Sequence, residues 1–488
     1  MIKLFYLKIV MSIITIFGSI LNSEAQQNSN WTFGDSCRLN WNTSLNITVS
    51  NSKIYAQEAC STISDSAGNL LFYSNQYYAY NRLNQIMPNG DSLMPGYQVP
   101  PGMATSSVTN GSLILPFPNH DGLYYLISLG GGMFGQLSTY SIVNMALDNG
   151  LGDVQLPKNN VFSTDTMAEK MCAIKHANGR DWWIICHAKD GRRVIKFLLA
   201  PDGIHGPFYQ NIGSSYTGGA NKVIGEMACS QDGQRLLMIG YSCGLIDYFN
   251  FNRCNGLLSK WQTLGDGISA YYGCSFSSTG NVFYVNTERN LLQWNTSQDS
   301  LDFTGSKLQI YSISDTTFVL GQEQLAPDNK IIVSICYQYF PNSIQDTLNN
   351  SLSLIQSPDS LGAACDFQPA ALYLNSHRTF LSLPNMPNYN LGPLSGSACD
   401  TINAVIDILA STQISISPNP VNQSLRFNNV VQDFVIDLYD INGRKLMHSL
   451  ITTQYPIMDV SWLSSGMYFV RCTHKDGEVI STEKFVKQ

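Results

Sequence analysis

The sequence predicts an all-β chain built as a β-propeller of seven blades, with six the alternative, followed by a small Ig-like β-sandwich. Three observations predict it. Short strand, polar turn and apolar strand recur along residues 30–394 at a spacing of about fifty residues. Gly and Asn-Gly turns punctuate the whole chain, while apolar runs with 3.6-residue spacing are hard to find. The last seventy-odd residues change rhythm and alternate apolar and polar around tight turns, which reads as a separate antiparallel sandwich at 413–488.

At the amino end, Lys3 and Lys8 flank an apolar run, Ile9 to Leu21, followed by Ser23-Glu24-Ala25. This is the pattern of a signal peptide over residues 1–25. The run is too short, and too promptly followed by polar residues, to serve as a membrane anchor, so no transmembrane anchor is expected. A chain of 488 residues, 44% hydrophobic, is long enough to bury a large core in two domains. Charged residues make up only 13% of it, with a net charge of -7 and no contiguous basic stretch, which argues against nucleic acid as a partner.

The repeat begins with Glu58-Ala-Cys-Ser-Thr-Ile-Ser-Asp-Ser-Ala-Gly-Asn-Leu-Leu-Phe-Tyr-Ser74. It returns from Glu169 through Asn178-Gly179 to Ile185, from Glu226 through Asp232-Gly233 to Gly240, from Tyr272 through Gly280-Asn281 to Val285, and from Gln322 through Asp328-Asn329 to Ser334. Asn119 to Ile127 supplies a further copy with a degraded first half. One such unit cannot bury both faces of its sheet, and stacking side by side around a ring is the stable solution. Strands left over near Trp31 to Val49 and Ala370 to Leu383 are expected to combine into the blade that closes the circle. Residues 395–412 lose the rhythm and read as a linker.

In the tail, Ile414-Ser-Ile-Ser-Pro-Asn-Pro420 precedes Val435 to Leu446, whose Asn442-Gly443 tolerates the positive φ of a tight hairpin turn. Leu463-x-x-Gly466-x-Tyr468-x-Val470 and Lys484-Phe-Val-Lys487 follow. Together these segments resemble the type A C-terminal sorting domain of the Bacteroidetes type IX secretion system (the Por secretion system). The resemblance implies passage across the outer membrane, contact with the type IX secretion machinery, and a protein that is secreted or held at the cell surface. It also marks Gly466, Tyr468, Val470, Lys484, Val486 and Lys487 as the sorting signal. The body, through Trp31-Thr-Phe-Gly34, Ser64 to Tyr73, Asn81-Arg82 and Met87-Pro-Asn-Gly90, resembles the propeller region of exported Bacteroidetes proteins with such C termini. That resemblance implies architecture and export rather than an activity.

Candidate chemistry is sparse. An acidic residue heads the first strand of several units: Glu58, Glu169, Glu226 and, less well aligned, Glu323. If those strands are innermost, the four carboxylates would converge at one mouth of the central channel. There they could bind a sugar or a cationic group, or hold a divalent cation through oxygen ligands. No cofactor is otherwise expected, because no C-x-x-C, H-E-x-x-H, G-x-S-x-G or P-loop is present. Twelve cysteines in an exported chain suggest that some pair. Cys172 and Cys186 sit symmetrically about the Asn178-Gly179 turn and are expected to bridge, and Cys399 in the linker is the candidate partner of Cys365. The functional expectation is an exported, non-enzymatic binding or adhesion module that recognises carbohydrate or a surface protein. The alternative is a secreted hydrolase or lyase acting on carbohydrate, with its acidic site at the channel mouth.

Overall fold

The computed structural model describes residues 26–41, 47–96, 107–131, 137–216, 220–296, 304–338, 346–400, 414–428, 430, 433–454, 456–473 and 479–488. The expected signal peptide and most of the expected linker lie outside the described residues. The chain divides into two compact units, Met1–Ser395 and Gly396–Gln488.

The first unit is built from seven antiparallel sheets in chain order. The first pairs Asn30–Trp41 with Ile47–Ala56, and the second holds Ser61–Ser64, Leu70–Ser74 and Ala79–Asn81. The third runs from Ser112–Pro116 through Leu123–Ser128 and Ser138–Asn144 to Asn160–Ser163, with Asp153–Val154 beside Ser138–Asn144. The remaining four are four-stranded meanders that begin at Met167–Lys175, Met227–Cys229, Tyr271–Phe276 and Phe318–Leu325. First strands touch in succession from the first sheet to the third and from the fourth to the seventh, which makes them the innermost strands of a ring.

Burial falls off outward, as a blade requires. Met167–Lys175 is buried at every position but its last, whereas Gly203–Tyr216, the outer edge of the same sheet, is mostly exposed or half-buried. The middle strand Trp182–Ala188 is buried throughout, because neighbouring blades cover both of its faces and leave no polar side to alternate with. That is why the second strand of each repeat is a nearly continuous apolar run.

The ring closes through an extended return segment. The Asp35 N–H donates to Arg378 O at 2.9 Å, and the Arg378 guanidinium pairs with the Asp35 carboxylate at 2.6 Å. Gln322 N–H of the seventh sheet donates to Leu381 O at 2.9 Å, and Ser382 N–H donates to Gln57 O at 3.0 Å. The stretch from Arg378 to Ser382 therefore lies between the seventh sheet and the first, completing the two-stranded first sheet as the closing blade. The two chain ends do meet, but Ala370 belongs to Phe367–Tyr373, the outer strand of the seventh sheet, and only the residues beyond it join the first.

From there the chain runs on among the innermost strands. Asn385 N–H donates to Cys60 O at 2.8 Å and its amide to Met171 O at 3.0 Å. The Asn388 amide reaches Gln231 O at 2.9 Å, and the buried Tyr389 hydroxyl reaches Ile114 O at 2.7 Å. Lys175 Nζ donates to Tyr389 O at 2.7 Å, and Leu394 N–H to Ala177 O at 2.8 Å. These bonds tie the segment to the second, third, fourth and fifth sheets. Gly179, at φ +73, turns the hairpin that it passes: a Cβ there would stand 2.6 Å from Pro393 N, so both the conformation and the approach require glycine.

The expected disulfides are corrected by this register. Cys172 pairs with Ile185 and Cys186 with Met171, one residue away from the symmetric pairing, so the two thiols point to opposite faces of the sheet. Cys172, Cys186 and Cys365 are free thiols. Cys399 is disulfide-bonded, as is Cys254, so Cys365 is not its partner.

The second unit is a sandwich of two antiparallel sheets. One holds Ser415–Ser417, Ser424–Asn428 and Ile457–Asp459, and the other, in spatial order, Lys445–Ile451, Phe434–Asp440, Gly466–Thr473 and Val479–Lys487. Leu425 and Phe427 from the first sheet pack with Phe434, Ile436, Leu438, Val470 and Phe485 from the second. Their alternation with exposed neighbours is the period-2 pattern of a sheet covered on one face. Gly443 takes φ +78 in the hairpin that Asn442-Gly443 announces.

Candidate functional site

The four glutamates are all buried, and they stand in the innermost layer of the ring. They do not share one mouth. Glu58 opens into a cavity of about 270 Å³ lined by residues from the starts of the innermost strands, the loops before them and the turns after second strands, among them Ser107, Tyr241, Tyr272, Glu288 and Leu320. Glu226 and Glu323 face a smaller cavity of about 50 Å³, lined mainly from the strand ends by Cys172, Cys229 and Phe276 and capped by Asn385 and Asn388 of the return segment. Glu169 lines neither; its carboxylate accepts from the Thr109 N–H and hydroxyl at 3.3 and 3.4 Å.

The larger cavity is held by hydrogen bonds among its lining groups, one of which crosses the ring. The Tyr272 hydroxyl donates to Glu58 Oε1 at 2.5 Å, and the Ser107 hydroxyl donates to Glu58 Oε2. The Tyr241 hydroxyl donates to Glu288 Oε1. The Tyr241 and Tyr272 rings meet edge to face, with centroids 6.2 Å apart and planes at 89°. Val319, Leu320, Leu381 and Phe380 supply apolar wall.

Burial dominates the electrostatics. It raises the Glu58 carboxyl above the ordinary range, and the Ser107 and Tyr272 hydrogen bonds offset only part of this. Burial, then the charge of Glu58, pushes Glu169 up to about 8, against the pull of Lys170. Glu226 is pushed up to about 8 by burial despite accepting from the Cys274 N–H at 2.9 Å. Glu323 is raised by burial and by Glu226, and one oxygen each of Glu169 and Glu323 is buried with no hydrogen-bond partner. Lys170 is itself lowered to about 7 by burial; its ammonium donates to Val223 O at 2.7 Å and Ile224 O at 2.8 Å. Among the described residues no three His, Cys, Asp or Glu side chains stand together as a metal site would need.

The repeat pointed to Glu58 but not to Glu288 and Tyr241, which line the same cavity. Glu288 sits in the turn between the second and third strands of the sixth sheet, and Tyr241 in the short helical turn after Arg235–Gly240. Neither occupies the repeated acidic position, so periodicity carried no signal for them.

A ring of antiparallel sheets followed by a compact sandwich defines a β-propeller protein with an appended C-terminal domain. Residues 415–488 match the sequence profile of the secretion system C-terminal sorting domain. The tail is thus a type IX sorting domain, and the chain is exported to the cell surface or released beyond it. Among the described residues no helix is long and apolar enough to cross a membrane.

Three solved structures show a distant likeness. A 6-phosphogluconolactonase candidate from Bacteroides fragilis is 11% identical over 73% of this chain and 98% of its own, with a TM-score of 0.43. The periplasmic gluconolactonase of Pseudomonas aeruginosa is 10% identical over 84% and 94%, with a TM-score of 0.34. PorZ, a surface component of the type IX secretion system of Porphyromonas gingivalis, is 11% identical over 95% and 75%, with a TM-score of 0.31. No curated protein matches the chain.

Proposed function

We propose that the body is an extracellular binding module, delivered by its sorting tail, and that the cavity at Glu58 is where it takes its ligand. One observation carries the reading: a cavity of about 270 Å³ in which hydroxyls of three separate sheets and loops are drawn onto two inward carboxylates. Pockets with apolar walls and a few convergent polar groups are the usual places where small ligands bind. The return segment contributes Asn385, Met386 and Asn388 to the lining of the smaller cavity. A rigid cavity on an exported ring suits recognition of a carbohydrate or of a group on a surface protein.

The test is binding of the secreted protein to a glycan and metabolite array, repeated with Glu58→Gln and Phe380→Ala. A ligand whose capture both substitutions weaken supports the reading; ligands that bind equally well to both variants would place recognition elsewhere. A second reading, hydrolysis or elimination on a carbohydrate, is favoured by the raised Glu58 carboxyl, which burial keeps ready to give a proton. It predicts turnover of a polysaccharide panel that Glu58→Gln abolishes without loss of fold.

A further inference from the structure

We infer that the cavity at Glu58 takes an organic cation, an alkylated or primary ammonium on a small carbon frame. This deepens the reading of that cavity as the ligand site and rests on it. The first argument is charge. Glu58 and Glu288 are the acids of the lining, and among the described residues no lysine, arginine or histidine lines it. The buried ammonium of Lys170 is turned to the backbone oxygens of Val223 and Ile224 and is not part of the described wall. An anionic ligand would meet only like charge there.

The second argument is the direction of the hydrogen bonds. Ser107 and Tyr272 give their hydroxyl hydrogens to Glu58, and Tyr241 gives its hydrogen to Glu288. What these acids and hydroxyls still present to a guest is acceptor oxygen, and the Gln57 and Gln338 amides are the donor-bearing groups beside them in the lining. A sugar needs donors and acceptors in alternation, whereas an ammonium needs acceptors and negative faces alone.

The third argument is the wall. Tyr241 and Tyr272 stand at 89° to one another, and Tyr337 and Phe380 line the same space, so aromatic surface bounds the cavity from more than one side. Aromatic faces carry the negative part of the ring quadrupole and attract alkylammonium groups, most strongly where water is excluded. A cation arriving there also gives the buried Glu58 the opposite charge that the protein does not supply. A volume of about 270 Å³ limits the guest to a few heavy atoms beyond its ammonium head.

Calorimetric titration of the full secreted protein with choline, n-butylamine and 3,3-dimethylbutan-1-ol, the neutral isostere of choline, tests this. The expected result is binding of at least one ammonium, at least about tenfold weaker binding of the neutral isostere, and about tenfold loss in Glu288→Gln and in Tyr241→Leu. Two variants on separate elements guard against one failing to fold. Equal binding of choline and its isostere, weakened by Phe380→Ala, would overturn the cation assignment while leaving the cavity as a ligand site. Capture of neutral oligosaccharides, weakened by Glu58→Gln, with no ammonium binding, would do the same. If neither ammonium nor array ligand responds to any cavity substitution, both the assignment and the underlying reading fall.

Discussion

Tyr272 donates its hydroxyl to Glu58 at 2.5 Å, a buried bond between the innermost strand of the sixth sheet and the residues that lead into the second. Those two sheets are not neighbours in the ring, so the bond spans its centre and fixes the width of the cavity between them. Removing the hydroxyl with Tyr272→Phe leaves a buried carboxyl oxygen short of a donor. We expect a loss of about 1–3 kcal/mol in chemical denaturation. Glu58→Gln keeps an acceptor for Tyr272 without a buried charge, and we expect it within about 1 kcal/mol of the parent.

The buried acids make stability depend on pH with a definite sign. Glu226 ionises near the ordinary glutamate value of 4.5 in the unfolded chain and at about 8 in the folded one. Between those values the folded state holds a proton that the unfolded state has released, so the Glu226 contribution is complete below the lower value and is lost as pH rises through the upper. Lys170, lowered to about 7, works the other way above that pH, as does His187, lowered to about 4, in the more acidic range. Comparing Glu226→Gln with the parent cancels those two groups. The melting temperature of the variant should gain on that of the parent steadily from pH 5 to pH 8, by about 1 kcal/mol of stability per pH unit. A constant difference across this range would show that Glu226 titrates normally.

How far this was legible in the sequence differs from element to element. The blades were readable because each repeat pairs a Gly or Asn turn with an apolar strand, and the tail because its residues alternate. The cysteine pairing failed by one register step: symmetry about Asn178-Gly179 cannot reveal that Cys172 faces Ile185. The return segment was invisible as a structural device because much of its hold comes from side chains, those of Asn385, Asn388 and Tyr389, which leave no periodic trace. The repeat pointed to Glu58 and holds its partner Tyr272, whereas Ser107, Tyr241 and Glu288, which share the cavity, come from loops and turns outside it.

Tyr389 tests the importance of that segment. Its ring is buried against the core and lies edge-on to Trp182 at 5.9 Å, and its hydroxyl reaches Ile114 O. Tyr389→Phe should cost about 1 kcal/mol and Tyr389→Ala about 3–5 kcal/mol, measured by denaturant unfolding. A loss under about 1 kcal/mol for the alanine variant would mean that the segment adds little to ring closure.

The cysteines offer a chemical count. Ten are free, and most of these are buried, with burial pushing Cys60 up to about 12. Such thiols react slowly with alkylating reagents in the folded state, because the thiolate is the nucleophile. Alkylation of the intact protein in denaturant, without reductant, should modify ten cysteines and spare Cys254 and Cys399; reduction should expose all twelve. Modification of either of those two without reductant would contradict the structure.

In the tail, the last strand separates folding from addressing. Phe485 is fully buried and stacks on Tyr468 with centroids 5.6 Å apart, while Lys484, one residue earlier, is exposed. Phe485→Ala should cost about 3–5 kcal/mol and block export by unfolding the sandwich. Lys484→Ala removes a surface charge at a position where substitutions typically change stability by less than about 0.5 kcal/mol. If the secretion machinery reads that charge, Lys484→Ala leaves the circular dichroism and melting temperature unchanged yet retains the protein in the periplasm. Normal export of Lys484→Ala beside loss of export for Phe485→Ala would mean that the machinery recognises the folded sandwich and not this side chain.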